Sequence, residues 1–240
     1  MKIAFISDIH GNAIALDTVL HDISLKSVDK IIVLGDISFR GPEPKRSIDI
    51  IRSLDSPTIK GNADEWIIRG INNGEVPNHV FQIMQKELQW TKEKLEINDF
   101  IFLKNLPNEL TINLSDSLLV HCFHATPDNL FEVVSSSEED SILSSKLMNK
   151  KEAHIYIYGH THKPYIKFFD NKCVANTGSV GLPLDGPAYS SYLILENEND
   201  NFYISIQKVK YDVDKVITQL KESNYPNIDF FEQTLASQKL

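Results

Sequence analysis

Short apolar runs that end in glycine and in metal-ligand side chains constrain the fold of this chain most strongly. Four such junctions recur, at Asp8-Ile9-His10, Gly35-Asp36, Gly61-Asn62-Ala63-Asp64 and Gly159-His160-Thr161-His162. An apolar run of about four to eight residues that stops at a turn signal is typical of a buried strand. The layout therefore predicts an α/β fold in which Asp, His and Asn side chains collect at the ends of strands.

The first 35 residues predict a βαβ unit. Residues 3–6 and 31–34 are apolar on both faces, which is typical of parallel strands. Asn12 can cap the intervening helix, whose apolar residues recur at helical spacing. A right-handed crossover is expected. A helix over about 44–54 and a short strand over 58–60 follow.

The remainder divides into a helical part and a strand-rich part. Residues 64–106 show helical patterning, which indicates either an insertion beside the site or ordinary helices that cover the core. Strands are expected at 111–114, 117–123, 155–158, 165–169, 173–176, 189–195 and 202–209. Turn-like residues at 170–171 and 196–201 predict hairpins. Helices are expected at 141–148 and from 212 or 213 to 223, and we expect a single domain over 1–240 built on two sheets.

Composition narrows the function classes. The 240 residues are 42% hydrophobic and 24% charged, with a formal net charge of −9, which argues against general affinity for nucleic acid or for an anionic membrane. The only cysteines are Cys122 and Cys173. The N-terminal apolar stretch is too short for a signal peptide, and no apolar run approaches the roughly 20 residues of a membrane span, so we expect neither. A reduced, cytoplasmic protein is the expected class, with its oligomeric state left open.

The ligand types at the strand ends predict a metal centre. Residues i and i+2 of an extended strand point the same way, so Asp8 and His10 are expected to reach one ion together. His160 and His162 are expected to do the same from one turn. A set of Asp, His and Asn without thiolate suits Mn, Fe or Zn. Glycines at 35, 61 and 159 fit turns in which a Cβ would crowd the backbone.

Taken in order, these motifs resemble the calcineurin-like metallophosphoesterase superfamily. The resemblance spans Asp8 to His162 and extends to Asn176-Thr177-Gly178-Ser179. The segment Cys122-Phe123-His124-Ala125-Thr126-Pro127 is similar to the small bacterial phosphodiesterase branch, which includes YfcE-like proteins and asymmetrical diadenosine tetraphosphate hydrolases. The implied fold is a four-layer α/β sandwich, with two mixed β-sheets packed face to face and flanked by helices.

The resemblance implies two divalent or transition metal ions. Asp8, His10 and His162 would hold one ion, Asn62, His124 and His160 the other, and Asp36 would bridge both. Such ions can share a hydroxide that attacks phosphorus in line. The implied activity is that of a phosphodiesterase or nucleotide polyphosphate hydrolase acting on a small phosphate ester, with no stable nucleic-acid or membrane partner.

Ala63 departs from the superfamily pattern, which usually has a histidine that helps to protonate the leaving group. The absence of this histidine predicts either a substrate with a stable leaving group or another proton donor. His121 and Asp64 are the candidates for that donor. His121 also competes with His124 as the ligand, and the motif context favours His124. Asp64 is otherwise expected to orient Asn62 or a histidine, or to cap a surface helix.

Two further residues have both a functional and a structural interpretation. Arg40 can contact a substrate phosphate or be merely exposed. Asn176 can contact substrate or build a turn, and Thr177, which replaces the superfamily's proline, predicts a looser turn. The competing function is a non-catalytic interaction scaffold of the same fold, as in Vps29, and the completeness of the ligand set favours an enzyme.

Overall fold

The computed structural model describes residues 1–115, 117–198 and 201–236. Its strands follow the apolar runs of the sequence. They are β1 (Lys2–Ile6), β2 (Lys30–Val33), β3 (Glu109–Asn113), β4 (Leu119–Phe123), β5 (Ile155–Tyr158), β6 (Tyr165–Phe169), β7 (Lys172–Asn176), β8 (Tyr189–Glu198) and β9 (Asn201–Lys210). The hairpins joining β6 to β7 and β8 to β9 are antiparallel, as expected, although residues 199–200 of the second predicted turn lie outside the described residues.

Helices occupy the intervals between strands and the end of the described chain. They are α1 (Ala13–Ser24), α2 (Pro44–Ser53), α3 (Asn62–Arg69), α4 (Asn78–Lys92), α5 (Ile97–Asn105), α6 (Asp140–Leu147), α7 (Val213–Glu222) and α8 (Ile228–Phe231), followed by a π-helical turn over Glu232–Ala236. The Asn12 side chain accepts a hydrogen bond from the Ala15 N–H at 3.1 Å, which is the predicted cap of α1. Helix α8 was not predicted from the sequence.

Two mixed sheets form the centre of the molecule. One has the strand order β2-β1-β8-β9 and the other β3-β4-β5-β7-β6. The predicted βαβ unit is present, since β1 and β2 pair in parallel. In the second sheet β4, β5 and β7 run parallel, and β3 and β6 are antiparallel edges.

Three apolar clusters arrange these elements in four layers. The sheets pack against each other through a buried cluster that includes Phe5, Ile32, Val120 and Leu193. The outer face of the first sheet is covered by helices α1–α5, α7 and α8, and that of the second sheet by α6. The predicted four-layer sandwich is confirmed. Within the described residues, no helix combines the length and apolarity needed to cross a bilayer.

One predicted strand is wrong. Residues 58–60 form no strand, and only an isolated parallel bridge joins Thr58 to Val33. The segment runs beside the end of β2, where the Ile59 N–H bonds to the Val33 carbonyl, and its Lys60 N–H bonds to the Pro107 carbonyl. Its apolar residue is therefore buried without a continuous strand ladder.

Candidate metal centre

All seven predicted ligands converge at one end of the two sheets, where parallel strands end. They are Asp8 and His10 after β1, Asp36 after β2, Asn62 at the start of α3, His124 after β4, and His160 and His162 after β5. All except His160 are buried. The carboxyl ends of parallel strands are the usual position of sites in α/β proteins.

Asp8, His10 and His162 form the first group. Asp8 Oδ1 lies 3.1 Å from His162 Nε2 and 3.8 Å from His10 Nε2, and it has no hydrogen-bond partner. The Nδ1 atom of His10 lies 2.8 Å from the Phe39 carbonyl, and that of His162 lies 2.6 Å from the Leu182 carbonyl. A carbonyl only accepts, so both Nδ1 atoms carry the proton and both Nε2 atoms are free to coordinate.

The geometry of this first group fits a cation. The two Nε2 atoms are only 3.0 Å apart, and Asp8 Oδ1 lies 3.1 Å from the Nε2 atom of His162. Converging acceptors repel unless a positive charge lies among them. The donor set of imidazole nitrogen and carboxylate oxygen is one that Mn, Fe and Zn accept.

Asn62, His124 and His160 form the second group. Asn62 Oδ1 lies 2.9 Å from His124 Nε2 and 2.8 Å from His160 Nδ1. His124 Nδ1 donates to the Leu34 carbonyl at 2.7 Å, which leaves Nε2 to face the amide oxygen. One nitrogen of each imidazole therefore lies within 3 Å of the same Asn62 amide oxygen.

Asp36 lies between the two groups. Its Oδ2 is 3.7 Å from His10 Nε2 and 3.4 Å from His124 Nε2, so that one oxygen faces a histidine of each group. Its Oδ1 accepts the Ala63 N–H at 2.7 Å. Asp8 is also within reach of both groups, since it clusters with Asp36 and His124 as well as with His10 and His162.

The protonation states suit cation binding. Burial opposes ionisation of Asp8 and Asp36, but the neighbouring histidines hold the pKa of both carboxyls below the usual value. Burial lowers the pKa of His160 to about 4, so this ring is neutral. Burial also lowers the pKa of His124, but the Asp36 and Asp8 carboxylates more than offset this and raise it to about 10. A positive charge beside the two buried carboxylates therefore stabilises them, and either a proton or a metal ion can supply it.

The backbone at these ligands differs from the predicted strand geometry. Five ligands have positive φ: Asp8 (52°), His10 (49°), Asp36 (55°), His160 (66°) and His162 (57°). Strand β1 ends at Ile6, so Asp8 and His10 do not share an extended strand. They point together because each lies in the left-handed region. Non-glycine residues seldom adopt this conformation, and it concentrates at functional sites.

Glycines leave room for the carboxylates. A Cβ on Gly61 would lie 2.0 Å from Asp36 Oδ1, and a Cβ on Gly159 would lie 2.5 Å from Asp8 Oδ2. The crowding predicted from the sequence is therefore present, but it involves the ligand side chains as well as the backbone.

Hydroxyl groups that were not predicted as part of the site hold Asp8 in place. Ser7 Oγ donates to Asp8 Oδ2 at 2.5 Å and lies 2.5 Å from Thr177 Oγ1. The His160 N–H donates to the same Asp8 oxygen at 3.0 Å. Thr177 therefore ties its turn to β1, contrary to the looser turn expected from the loss of proline. A hydroxyl residue next to a ligand is the only sequence signal that marked Ser7.

Asp64 orients the loop of Asp36 and also caps the N-terminus of α3, a largely buried helix, through hydrogen bonds that do not involve the Asn62 side chain. Its carboxylate accepts the N–H groups of Asp36 at 2.8 Å, Ile37 at 2.9 Å and Gly61 at 2.9 Å. Burial and the Asp36 carboxylate raise its pKa to about 7, against the effect of the backbone donors. Because Asp64 is fully buried and both its oxygens are bonded to the backbone, the structure gives it no contact through which to protonate a substrate.

His121 lies outside the cluster of ligands. Side chains alternate along β4, which places Val120 and Cys122 between the sheets and His121 on the opposite face. There its Nε2 is 2.9 Å from Glu109 Oε2, and its ring meets the edge of Phe123. His124, beyond the end of β4, is the histidine that reaches the other ligands, so the structure does not support His121 as ligand or proton donor.

Asn176 is part of the turn. It is fully buried, its Nδ2 donates to the Gly159 carbonyl at 2.5 Å, and its Oδ1 accepts the Gly178 N–H at 2.9 Å. These contacts occupy both ends of the amide and support the loop of His160. The side chain is directed toward the backbone, which favours the structural interpretation of Asn176 as part of a turn.

Arg40 lines a cleft of about 350 Å³ that opens onto the ligands His10, Asp36, Asn62, His160 and His162. Its guanidinium lies over the Phe230 ring at 4.4 Å, and its Nε is 3.7 Å from Glu87 Oε2. Neither Phe230 nor Glu87 was predicted from the sequence as a residue of the site. Glu87 shares one face of α4 with Val80 and Met84, a spacing that marks this face as directed toward the site.

Comparisons with known proteins agree with this geometry. The family profile "Calcineurin-like phosphoesterase superfamily domain" matches residues 1–200. An uncharacterized protein of Methanocaldococcus jannaschii is 29% identical over 241 residues, covering 93% of each protein. Serine/threonine-protein phosphatase 2 of Escherichia coli is 26% identical over 195 residues, covering 72% of this chain and 86% of the relative. The crystal structure of a metallophosphoesterase from Sphaerobacter thermophilus is 25% identical, with a TM-score of 0.81 and 99% coverage of each chain.

Proposed function

The chain belongs to the calcineurin-like phosphoesterase superfamily, and we propose that it is a dinuclear metal-dependent phosphoesterase. The observation that carries the proposal is the convergence of two groups of acceptor atoms on the shared carboxylate of Asp36. When bound, two metal ions would activate water for in-line attack on phosphorus and neutralise the phosphoryl oxygens. Mn, Fe and Zn all suit the donor set.

The residues of the chain would hold this centre rigid. Asp8, His10 and His162 would bind one ion, Asn62, His124 and His160 the other, and Asp36 both. Ser7 and Asp64 fix the two carboxylates or their loops through buried hydrogen bonds. Ligands fixed in this way lose little freedom on binding metal and keep the reacting groups in line.

The leaving group would depart with little help from an acid. Ala63 lines the cleft where the superfamily usually has a histidine, and neither His121 nor Asp64 reaches the cleft. General acid catalysis is typically worth about 10²–10⁴-fold. We therefore propose a substrate whose leaving group is already stable, as in an aryl phosphodiester, in keeping with the small phosphodiesterase branch. The two unpaired, buried cysteines agree with a cytoplasmic location.

Replacement of Asp36 by Asn tests the bridging role. Asp36→Asn keeps the shape of the side chain but removes the charge shared by both groups, so metal content should fall from about two ions per chain to below one. Hydrolysis of bis(4-nitrophenyl) phosphate with added Mn²⁺ should fall at least 100-fold. By contrast, His10→Ala should remove only one ion. Metal content is measured by mass spectrometry of the purified protein.

A matched control variant tests whether the effect comes from the loss of the Asp36 charge at the site or from the loss of any one carboxylate charge on the protein. Asp170→Asn removes an exposed carboxylate in a turn and should leave metal content and rate unchanged. If Asp36→Asn keeps the wild-type metal content and rate, the bridging assignment is wrong. If the wild-type protein retains no metal and hydrolyses no aryl ester, the non-catalytic scaffold is the better description.

A further inference from the structure

The cleft beside the ligands is walled largely by carbon. One face of α4 contributes Val80, Ile83 and Met84, and the wall is completed by Val76, Leu184 and Phe230. Val80, Ile83 and Phe230 are only half-buried, so their side chains are available for contact. Unlike the floor of ligands, this wall offers few hydrogen-bond donors to a polar substrate.

Charge is scarce on the same wall. Among the described residues that line the cleft, Arg40 is the only lysine or arginine. The Glu87 carboxylate lies behind it, fully buried, with Oε2 at 3.7 Å from Arg40 Nε and Oε1 accepting from the Tyr225 hydroxyl at 3.0 Å. Arg40 is thus partly neutralised by the protein and is held against Phe230.

From this wall we infer that the cleft is a subsite for the apolar, aromatic leaving group of the ester, a conclusion that rests on the proposed phosphoesterase function. The phosphoryl group would lie against the metal ligands and the ring against Val80, Ile83 and Phe230. Apolar contact and ring-to-ring packing would supply the affinity.

The same geometry disfavours nucleotide polyphosphates, which the sequence left open. A chain of phosphates would carry several charges along a wall that offers one partly neutralised cation, and charge without a partner is costly to bury. A volume of about 350 Å³ is also at the small end of the range of ligand pockets, about 300–1,000 Å³. It suits one ring system better than two nucleosides.

A matched substrate pair tests the subsite. The phenyl and 2-naphthyl esters of methyl phosphate have leaving groups of similar acidity and differ mainly in apolar surface. We expect kcat/KM to be at least about tenfold higher for the naphthyl ester, since each added apolar contact in a fitted pocket is worth about 10-fold or more. Diadenosine tetraphosphate should be a poorer substrate than either ester. Equal kcat/KM for the pair, or a preference for the polyphosphate, would overturn the inference.

Shortening one side chain of the wall tests where the aromatic ring of the substrate binds. Ile83→Ala should reduce the naphthyl-to-phenyl ratio of kcat/KM about tenfold, through KM for the naphthyl ester. The control is Ile97→Ala, which makes the same chemical change at a side chain that is 73% exposed on α5. The control should keep the wild-type ratio. A ratio that Ile83→Ala leaves unchanged would place the ring elsewhere.

Calorimetric binding of 2-naphthylmethyl and methyl phosphonates to the metal-loaded protein separates the two proposals. Hydrolysis of both esters at equal rates would leave the phosphoesterase function standing and refute the subsite. A protein that hydrolyses neither ester, yet binds the naphthylmethyl phosphonate at least tenfold more tightly in an Ile83-dependent manner, would retain the subsite and lose the enzymatic function. Equal binding of both phosphonates would refute the subsite in either case.

Discussion

The contact between Gly61 and Asp36 gives a sharp test of how the centre is held. In Gly61→Ala the added Cβ would lie 2.0 Å from Asp36 Oδ1 and 2.5 Å from the Asp36 backbone nitrogen. Gly61 has φ of −101°, so alanine brings no backbone strain of its own and the effect is purely steric. The perturbation therefore acts on the carboxylate that faces both groups of ligands.

The structure sets the size of the effect. A carbon and an oxygen without a bond approach to about 3.3 Å, so Asp36 and the new methyl group must separate by roughly 1.3 Å. A displacement of about 1 Å at a reacting centre can lower the rate about 100-fold. We expect that loss in kcat/KM, together with reduced metal content and an overpacking cost of about 1–3 kcal/mol in the free energy of unfolding.

The assay compares metal content, kcat/KM for an aryl phosphodiester, and unfolding in urea. Gly74→Ala is the control, because its Cβ would meet nothing within 4 Å and its positive φ of 88° imposes only a backbone cost of about 1–2 kcal/mol. The two variants should lose similar stability, but only Gly61→Ala should lose metal and rate. Wild-type metal content and rate in Gly61→Ala would refute the reasoning, since Asp36 would then tolerate the displacement.

Two further predictions concern the support of the site and the loop before α4. Ser7→Ala removes the hydroxyl between Asp8 and Thr177, and should weaken metal binding about 10–100-fold in a titration with Mn²⁺; unchanged affinity would show that Asp8 needs no such support. Burial opposes ionisation of Glu75, but hydrogen bonds, chiefly from Arg69, lower its pKa to about 2. Its stabilisation is therefore complete above the unfolded pKa near 4.5 and is lost as the pH falls toward 2. Glu75→Gln should lower the free energy of unfolding by about 1–2 kcal/mol at pH 7 and by much less at pH 3, as urea titrations can check; equal losses at both pH values would contradict the ion pair.

Local sequence patterns predicted much of the fold because the spacing of apolar residues depends directly on which residues are buried. The apolar runs became strands with ends within a few residues of the predicted ones, and Asn12 caps α1 as expected. The prediction for residues 58–60 was wrong because the segment is buried beside β2 with a single parallel bridge and not with a continuous ladder. A sequence pattern does not distinguish these two sources of burial.

The roles of single polar residues were predicted less well. Asp64 and Asn176 stand beside ligand motifs, but their side chains are bonded to the backbone of neighbouring loops. His121 is three residues from His124 and lies on the other face of its sheet. Proximity in sequence does not fix the direction of a side chain, because that direction depends on where the strand ends and on the φ angle that follows.

The sequence by itself determined the superfamily and the set of ligand-type residues. Each motif is a contiguous segment, so the chemical groups that it offers can be identified without knowing the fold. Only the tertiary structure decided what surrounds them. The cleft combines Arg40, the Val80–Met84 face of α4 and Phe230 of α8, which are far apart along the chain and meet only through packing. The apolar wall, and with it the substrate class that we infer, follows from that packing.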